Sequence, residues 1–500
     1  MEAQAGEPAG ARTVSLPELG QRLLASRLAL PVILVLTFAI FAPSLDDWFR
    51  SDDFWWLRAS QDAPIGEYTI EALDYRAADP VPEFIFYRPL YMISFRLSYE
   101  VFGMHAVGYH ALNVALHMAA VALVWFIARR LVSSPALASA LTLVFALHPS
   151  YTETVTWISR GNALMMMVAY LGTILCFLQY MDGGRRSLLY YGGSVLAFTA
   201  AILYHPNALS LVVLLPAYVF LIARRPVEAL RVRSWLPFVP FIVLGIAWAL
   251  IQNWVREEYG LADTFKVGFH QYSNYGQYLG YALFPVLPSD WARFDLPVEW
   301  RTLLQGVASV VVIGLALLLL ARRAWPYIGV FAVWWFMTAL FFNTTIIITQ
   351  AVPAQLYMPG ASVALFFVVA WLWAAALLEE VAPKAREIAP RLAPWFLSAL
   401  LVIMIGLDLS HLSDDERSGI ENERFVATLR EDVPALEPGA MLYVTNPPFN
   451  LRVFNSDALS AAVGLYYGDV EARAVSIEEL PEIEAQLGPN DVIYQYQPVE

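Results

Sequence analysis

Apolar residues occupy this chain in long runs, separated by short polar clusters rather than alternating with them. A run of roughly 18 to 20 such residues spans a bilayer as a helix, because no backbone group can be left unpaired in hydrocarbon. About eleven runs meet this description: Leu28–Leu45, Val107–Ile127, Ala136–Tyr151, Ala163–Leu178, Leu188–Tyr204, Ala208–Ala223, Leu236–Trp254, Leu303–Ala321, Tyr327–Phe342, Tyr357–Leu378 and Trp395–Leu409. With the N-terminus inside, the inner turns contain Arg129–Arg130, Arg185–Arg186, Arg224–Arg225 with Arg231 and Arg233, Arg322–Arg323, and Lys384 with Arg386 and Arg391. All the paired basic residues then share one side, as the cytoplasmic bias of arginine and lysine requires. One span more or fewer would break that pattern.

The threading predicts an α-helical membrane protein with three parts: an N-terminal cytoplasmic tail 1–27, a membrane domain 28–411, and a small extracytoplasmic domain 412–500. The first outer loop, 46–106, faces the same side as 149–162, 255–302 and the C-terminus. Phe86–Gly103 mixes apolar positions with Arg88, Arg96 and Glu100, the pattern of an interfacial helix. Tyr275–Leu287 is apolar but short, and reads as re-entrant or interfacial. In the C-terminal part, β-rich runs at Met441–Thr445, Ala472–Ile477 and Val492–Tyr496 accompany helical stretches at Glu423–Arg430 and Asp457–Tyr467, the signature of a small α/β domain.

Composition agrees with the membrane reading. The chain is 58% hydrophobic with a mean hydropathy of +0.53, above the roughly 45–50% apolar content of soluble domains. Of its net charge of −13, −12 lies from Leu412 onward, where 17 Asp and Glu face 5 Arg. A nucleic-acid partner is excluded by that balance. Cys176 is the single cysteine, so no disulfide framework or thiolate cluster exists. Lys266 and Lys384 are the only lysines, a bias typical of a GC-rich bacterial genome.

The chemistry-bearing residues sit in the outer loops. Ser51-Asp-Asp-Phe-Trp-Trp-Leu-Arg58 puts two adjacent carboxylates just beyond the first span. Carboxylates at a membrane surface are costly unless solvated or used. Asp52 and Asp53 suit a catalytic base with an orienting partner, and equally Ser51 or Asp52 suits the N-cap of a short interfacial helix beginning near Phe54. A second cluster runs from His148 to Asn162. Glu153, Trp157 and Arg160 recur at i, i+4 and i+7, which predicts one helical stripe suited to a sugar ring and a phosphate, or an interfacial helix with a Glu–Arg pair. His205, in Tyr204-His-Pro-Asn207, reads as a structural histidine. No cofactor motif or transition-metal spacing stands out, although a hard divalent ion could bridge Asp52 or Asp53 to a phosphate.

Phe86-Tyr-Arg-Pro-Leu90, Val107-Gly-Tyr-His-Ala-Leu-Asn113, His117, Phe145-Ala-Leu-His-Pro149, Glu153 and Trp157-Ile-Ser-Arg160 resemble the GT-C class of membrane glycosyltransferases, in particular the protein O-mannosyltransferase-like branch that includes the tetratricopeptide-repeat O-mannosyltransferases. The likeness is specific over about residues 40–180 and continues more weakly through Asn274–Leu279 and Tyr357–Ala361. Three departures stand out. Ala354 and Gln355 replace an acidic residue and an arginine, Tyr204–His205 replace a Lys-Glu pair, and an acidic α/β domain stands in place of the repeats. The resemblance implies inverting transfer of a sugar from a polyprenyl-phosphate donor to a hydroxyl of a protein or glycolipid. It implies Asp52 or Asp53 as base, with Asp52 favoured by position, and Arg88, Glu153, Arg160, His148 and Trp157 in the donor site. The expected setting is the cell membrane, with the site on the extracytoplasmic face among membrane lipids. The competing class is a transporter or flippase of lipid-linked saccharides, which should show charges or broken helices near the bilayer midplane and repeated halves.

Overall fold

The computed structural model of the protein describes residues 22–62, 64–74, 87–132, 134–223, 231–258, 268, 270–283, 326–345, 352–382, 385–452 and 456–497. Among the described residues seven helical segments are long and apolar enough to cross a membrane: Ala29–Asp46, Ala106–Leu131, Ile158–Met181, Ser187–Tyr204, Pro206–Ala223, Val232–Glu258 and Pro394–Asp432. Shorter apolar helices at Pro135–Ala146, Gly329–Phe341 and Gly360–Leu372 match three further runs. The remaining expected span, Leu303–Ala321, lies outside the described residues. The chain is a polytopic helical membrane protein.

Local chemistry sets several boundaries. Ser134 caps the helix Pro135–Ala146, its hydroxyl accepting the Leu137 N–H, and Pro135 occupies the first helical position, where a missing N–H has no consequence. Pro216, inside Leu211–Tyr218, withholds a backbone donor, and the helix passes at once into a π-turn at Val219–Ala223. The segment expected to be an interfacial helix is the helix Pro89–Phe102, and it ends at Gly103 with φ 53°. The expected re-entrant segment is the helix His270–Leu283.

The two ends of the bundle differ. At one end Arg130 pairs with Asp182 (2.7 Å) and the Ser139 hydroxyl donates to the Leu24 carbonyl (2.7 Å). At the other, the Asp52 turn, the 148–160 loop, His205, the Pro353–Tyr357 turn and the C-terminal half of the last membrane helix all meet. Each of these segments follows an odd-numbered span in the threading, so their meeting is what the distribution of arginines demands.

The last membrane helix does not stop at the charge boundary. It runs unbroken from Ala385 to Asp432, about 72 Å at 1.5 Å per residue. Beyond it β1 (Met441–Thr445), β2 (Glu471–Val475) and β3 (Val492–Gln495) form a parallel sheet of order β2-β1-β3, with the helix Ser456–Tyr467 connecting β1 to β2. The α/β expectation holds, with strand ends differing by one or two residues. The change in charge at Leu412, in contrast, is no structural break. A single apolar cluster joins Phe49, Phe54, Trp56 and Leu57 of the first loop to Phe425, Leu429, Leu442 and Leu459.

Arg58 fastens that junction, donating to the carbonyls of Ser460 (3.2 Å) and Gly468 (3.1 Å). A Cβ on Gly464 would collide with the Arg58 guanidinium, so any side chain here has to push that group aside. Gly464→Ala is expected to displace Arg58 and lower stability by about 1–2 kcal/mol, read as a drop of several degrees in thermal unfolding in detergent. An unchanged midpoint would mean that Arg58 does not hold the two parts together.

Candidate active site

The chain leaves the first span through the 3-10 turn Ala42–Asp46 and re-enters a helix at Asp53–Asp62. Between them Ser51 adopts φ 50°, a left-handed conformation that serine visits only when its surroundings enforce it. The two aspartates face different partners. Asp53 is buried, and both of its oxygens are taken. Oδ2 accepts the Arg50 N–H (3.0 Å), while Oδ1 accepts the Ser159 N–H (2.8 Å) and the Ser159 hydroxyl. Burial pushes its carboxyl up to about 7, the neighbouring Asp52 adding to the shift and Ser159 and Arg50 opposing it.

Asp52 is half-buried, and its Oδ1 is enclosed with no hydrogen-bond partner among the described residues. Burial raises its carboxyl above the ordinary range, opposed first by the Arg160 guanidinium and then by Ser159. The carboxylate that bonds backbone across the turn is Asp53 rather than the expected cap residues Ser51 or Asp52, and Asp52 Oδ1 is left available.

Arg160 and Arg88 are near enough to Asp52 for their charges to act on it, and His205 lies beside Arg88. Arg88, just before the helix Pro89–Phe102, places Nη2 3.2 Å from His205 Nε2. Burial lowers the Arg88 guanidinium to about 10, with Arg160 adding to the effect and Asp52 opposing it. Arg160 lies over the Trp157 ring at 4.9 Å and 3.6 Å from Glu153 Oε1. His205 accepts the Asn207 N–H at Nδ1 (3.2 Å), and burial beside Arg88 and Arg160 keeps the ring neutral. Two buried or half-buried guanidiniums set around one carboxylate suit an anionic group carried by a ligand.

The sequence-expected residues divide. Asp52, Arg88, Arg160, Glu153 and Trp157 gather at one place. The expected helical stripe is not what gathers them. The helix Thr152–Thr156 ends before Trp157, which is extended (φ −84°, ψ 118°), and a 3-10 turn follows at Ile158–Arg160. Asn113 braces the break by donating to the Trp157 carbonyl (3.1 Å), which also accepts the Arg160 N–H (3.0 Å). Tyr91 fixes the next turn by donating to the Ser159 carbonyl (2.9 Å). His148 needs correction as a phosphate ligand: its Nδ1 accepts the Ser150 N–H (3.4 Å) and Nε2 lies 3.0 Å from the Ala282 carbonyl, so it caps one turn and anchors the helix His270–Leu283. His205, read from sequence as structural, belongs to the cluster instead.

Sequence reasoning missed Arg50 and Asp415. Arg50 is buried, pairs with Asp415, donates to Thr156 Oγ1 (2.8 Å) and lies 5.7 Å from the Trp157 ring centre. Asp53 spends its lone pairs on N–H and O–H donors, and among the described residues no three His, Cys, Asp or Glu side chains converge on one point.

No family model matches the chain. Part of it is similar to protein O-mannosyl-transferase Tmtc1 of Drosophila melanogaster, 40% identical over 95 residues, which are 19% of this chain and 11% of that protein. A segment of 129 residues is 36% identical to protein O-mannosyl-transferase Tmtc2 of the same organism, covering 25% and 14% of the two chains. The matched segments thus span between a tenth and a seventh of these relatives' length. Among solved structures the chain is similar to ArnT from Cupriavidus metallidurans bound to undecaprenyl phosphate, at 13% identity over 93% of this chain and 96% of that one, with a TM-score of 0.49.

The buried acids make stability depend on pH. Asp47 is raised from 3.8 to about 7 by burial, which Arg50 opposes and Asp415, Glu416 and Asp46 reinforce. An acid whose folded value lies above its unfolded one holds its proton more tightly when folded, so stability falls as pH rises from about 4 to about 7. Asp47→Asn is therefore expected to raise the unfolding midpoint at pH 8 and leave it unchanged near pH 4. The same gain at both values would show that shape rather than charge is responsible.

Proposed function

We propose that the protein is an inverting glycosyltransferase that moves a sugar from a polyprenyl-phosphate carrier to a hydroxyl of a protein or glycolipid acceptor. The carrying observation is the enclosed, unpartnered Oδ1 of Asp52 beside Arg88 and Arg160. In this reading the acceptor oxygen attacks the anomeric carbon, the bond from that carbon to the phosphate oxygen breaks, and the acceptor proton passes to Asp52. A base whose carboxyl is raised by burial holds that proton better than an ordinary aspartate. The electron pair of the broken bond leaves with the phosphate, whose growing charge Arg88 and Arg160 stabilise, while Asp53 holds the turn in place. The donor's isoprenoid tail lies in the bilayer, which suits a site at the end of a helix bundle rather than at its middle. The arginine distribution supports an extracytoplasmic site with the N-terminus in the cytoplasm of a bacterial cell. The names of the similar O-mannosyl-transferases support the reaction class and a protein acceptor.

The two aspartates separate in mutants. Asp52→Asn is expected to lower kcat by about 10²–10⁴-fold while leaving thermal stability unchanged or higher, since it removes a buried carboxylate. Asp53→Asn is expected to lose about 1–3 kcal/mol of stability, because its amide N–H₂ would face a backbone N–H. The reading fails if Asp52→Asn turns over at the wild-type rate in an assay with lipid-linked sugar donor.

Arg160→Lys keeps the charge but loses the two-pronged fork. Its expected result is an unfolding midpoint unchanged without ligand and a smaller upward shift on adding undecaprenyl phosphate. A lowered midpoint with a full shift would assign Arg160 to loop structure through Glu153 instead.

A further inference from the structure

The last membrane helix, Ala385–Asp432, meets the acidic turn along one face. Asp408, Asp415 and Asn422 recur every seven residues, two helical turns apart, and each reaches into the site end of the bundle. The Thr152 hydroxyl donates to Asp408 Oδ1 (2.6 Å), Asp415 pairs with Arg50, and Asn422 donates to the Phe49 carbonyl (3.2 Å). At Gly419, on the same side, a Cβ would come within 2.9 Å of the Trp48 nitrogen, so the helix touches the backbone of the loop itself.

Asp415 is the member that reaches the chemistry. Its Oδ2 lies 2.6 Å from Thr156 Oγ1, and the Arg50 guanidinium closes the triangle through its ion pair with Asp415 and its 2.8 Å bond to Thr156. Arg50 then donates its own backbone N–H to Asp53, and the left-handed Ser51 and Asp52 are the residues between the two ends of that bond. The position of Asp52 is thus fixed on one side by Asp53 and Ser159 and on the other by the residue that Asp415 holds. A buried guanidinium deprived of its partner would leave this place, because an unpaired buried charge is strongly unfavourable.

We propose that Asp415 is a positioning residue for the reaction: through Arg50 it sets the Ser51–Asp52 turn so that the Asp52 carboxylate faces the acceptor. This inference rests on the glycosyl-transfer reading. Because the same helix continues to Phe425 and Leu429 in the core of the C-terminal sheet, that sheet supports the catalytic turn as well as packing beside it.

The test uses the full-length protein in detergent, undecaprenyl-phosphate mannose for turnover and undecaprenyl phosphate for binding. Asp415→Asn is expected to reduce kcat by about ten- to hundredfold, the range expected when a catalytic group is displaced by about an ångström. KM and the thermal shift on adding undecaprenyl phosphate should stay unchanged. Amide hydrogen exchange should rise in residues 47–58 and remain at the wild-type level in the helix Ala106–Leu131. The double variant Arg50→Gln, Asp415→Asn, which removes both members of the ion pair, provides a folded comparison if the single variant is too unstable. Its kcat should be no lower than that of either single variant. Wild-type turnover in Asp415→Asn, or losses that multiply in the double variant, would overturn the proposal. If the wild-type protein transfers no sugar, the glycosyl-transfer reading fails by itself, and unchanged exchange in residues 47–58 of Asp415→Asn would then overturn the positioning link separately.

Discussion

One carboxylate ties together the loops at the working end of the bundle. Asp53 accepts from the backbone of its own turn at Arg50 and from the backbone and hydroxyl of Ser159, which is 106 residues later in the chain. A hydrogen bond to a charged group contributes more than a neutral one, and leaving such a group unmet when buried costs more still. The turn therefore has one arrangement. Its strained Ser51, the direction of Asp52 and the closeness of Arg160 all follow from that arrangement. Adjacent residues of one chemical type consequently take opposite parts: one is fully bonded and structural, the other enclosed and available.

Much of the architecture could be read from sequence because a bilayer imposes a length and arginines impose a side. The acidic pair could be read because two carboxylates beside a run of apolar residues need a reason to be there. What could not be read depended on distant partners. The stripe Glu153, Trp157 and Arg160 obeys helical spacing, yet the backbone breaks there, and Asn113, 44 residues earlier, braces the break by donating to the Trp157 carbonyl. His148 and His205 look alike in sequence, each followed by proline. One meets a helix carbonyl and the other meets Arg88. Asp415 lies 259 residues from Thr156. Its only local trace is the seven-residue spacing of Asp408, Asp415 and Asn422, readable as a polar face on a helix that would otherwise be expected to end at the membrane.

Neutral amides do similar work inside the bundle. Asn207 donates to Asn343 (3.0 Å), Asn343 to Gln355 (3.0 Å), and Asn274 and Gln271 to Thr344 (3.1 and 3.2 Å). Polar side chains that satisfy one another hold membrane helices together where the hydrophobic effect between them is weak. Gln355 stands where the resemblance expects a charged pair, and here it acts as an uncharged latch between the Pro353–Tyr357 turn and the helix Pro326–Thr345.

The shared core between the first loop and the C-terminal sheet also sets a timetable for making the protein. Arg58 and its acceptor at Ser460 are separated by 402 positions. At usual rates of synthesis the ribosome needs roughly 20–80 s to cover that distance. Throughout that interval Phe54, Trp56 and Leu57 have their early neighbours Phe49, Tyr91 and Phe95 but lack the C-terminal half of the cluster that completes their burial, and the acidic turn lacks the helix against which it is finally set. Contacts so far apart in sequence form late and slowly. The core of this loop is therefore completed only by the last fifth of the chain, and until then a cell making the protein must guard the apolar face that the final helix and sheet will cover.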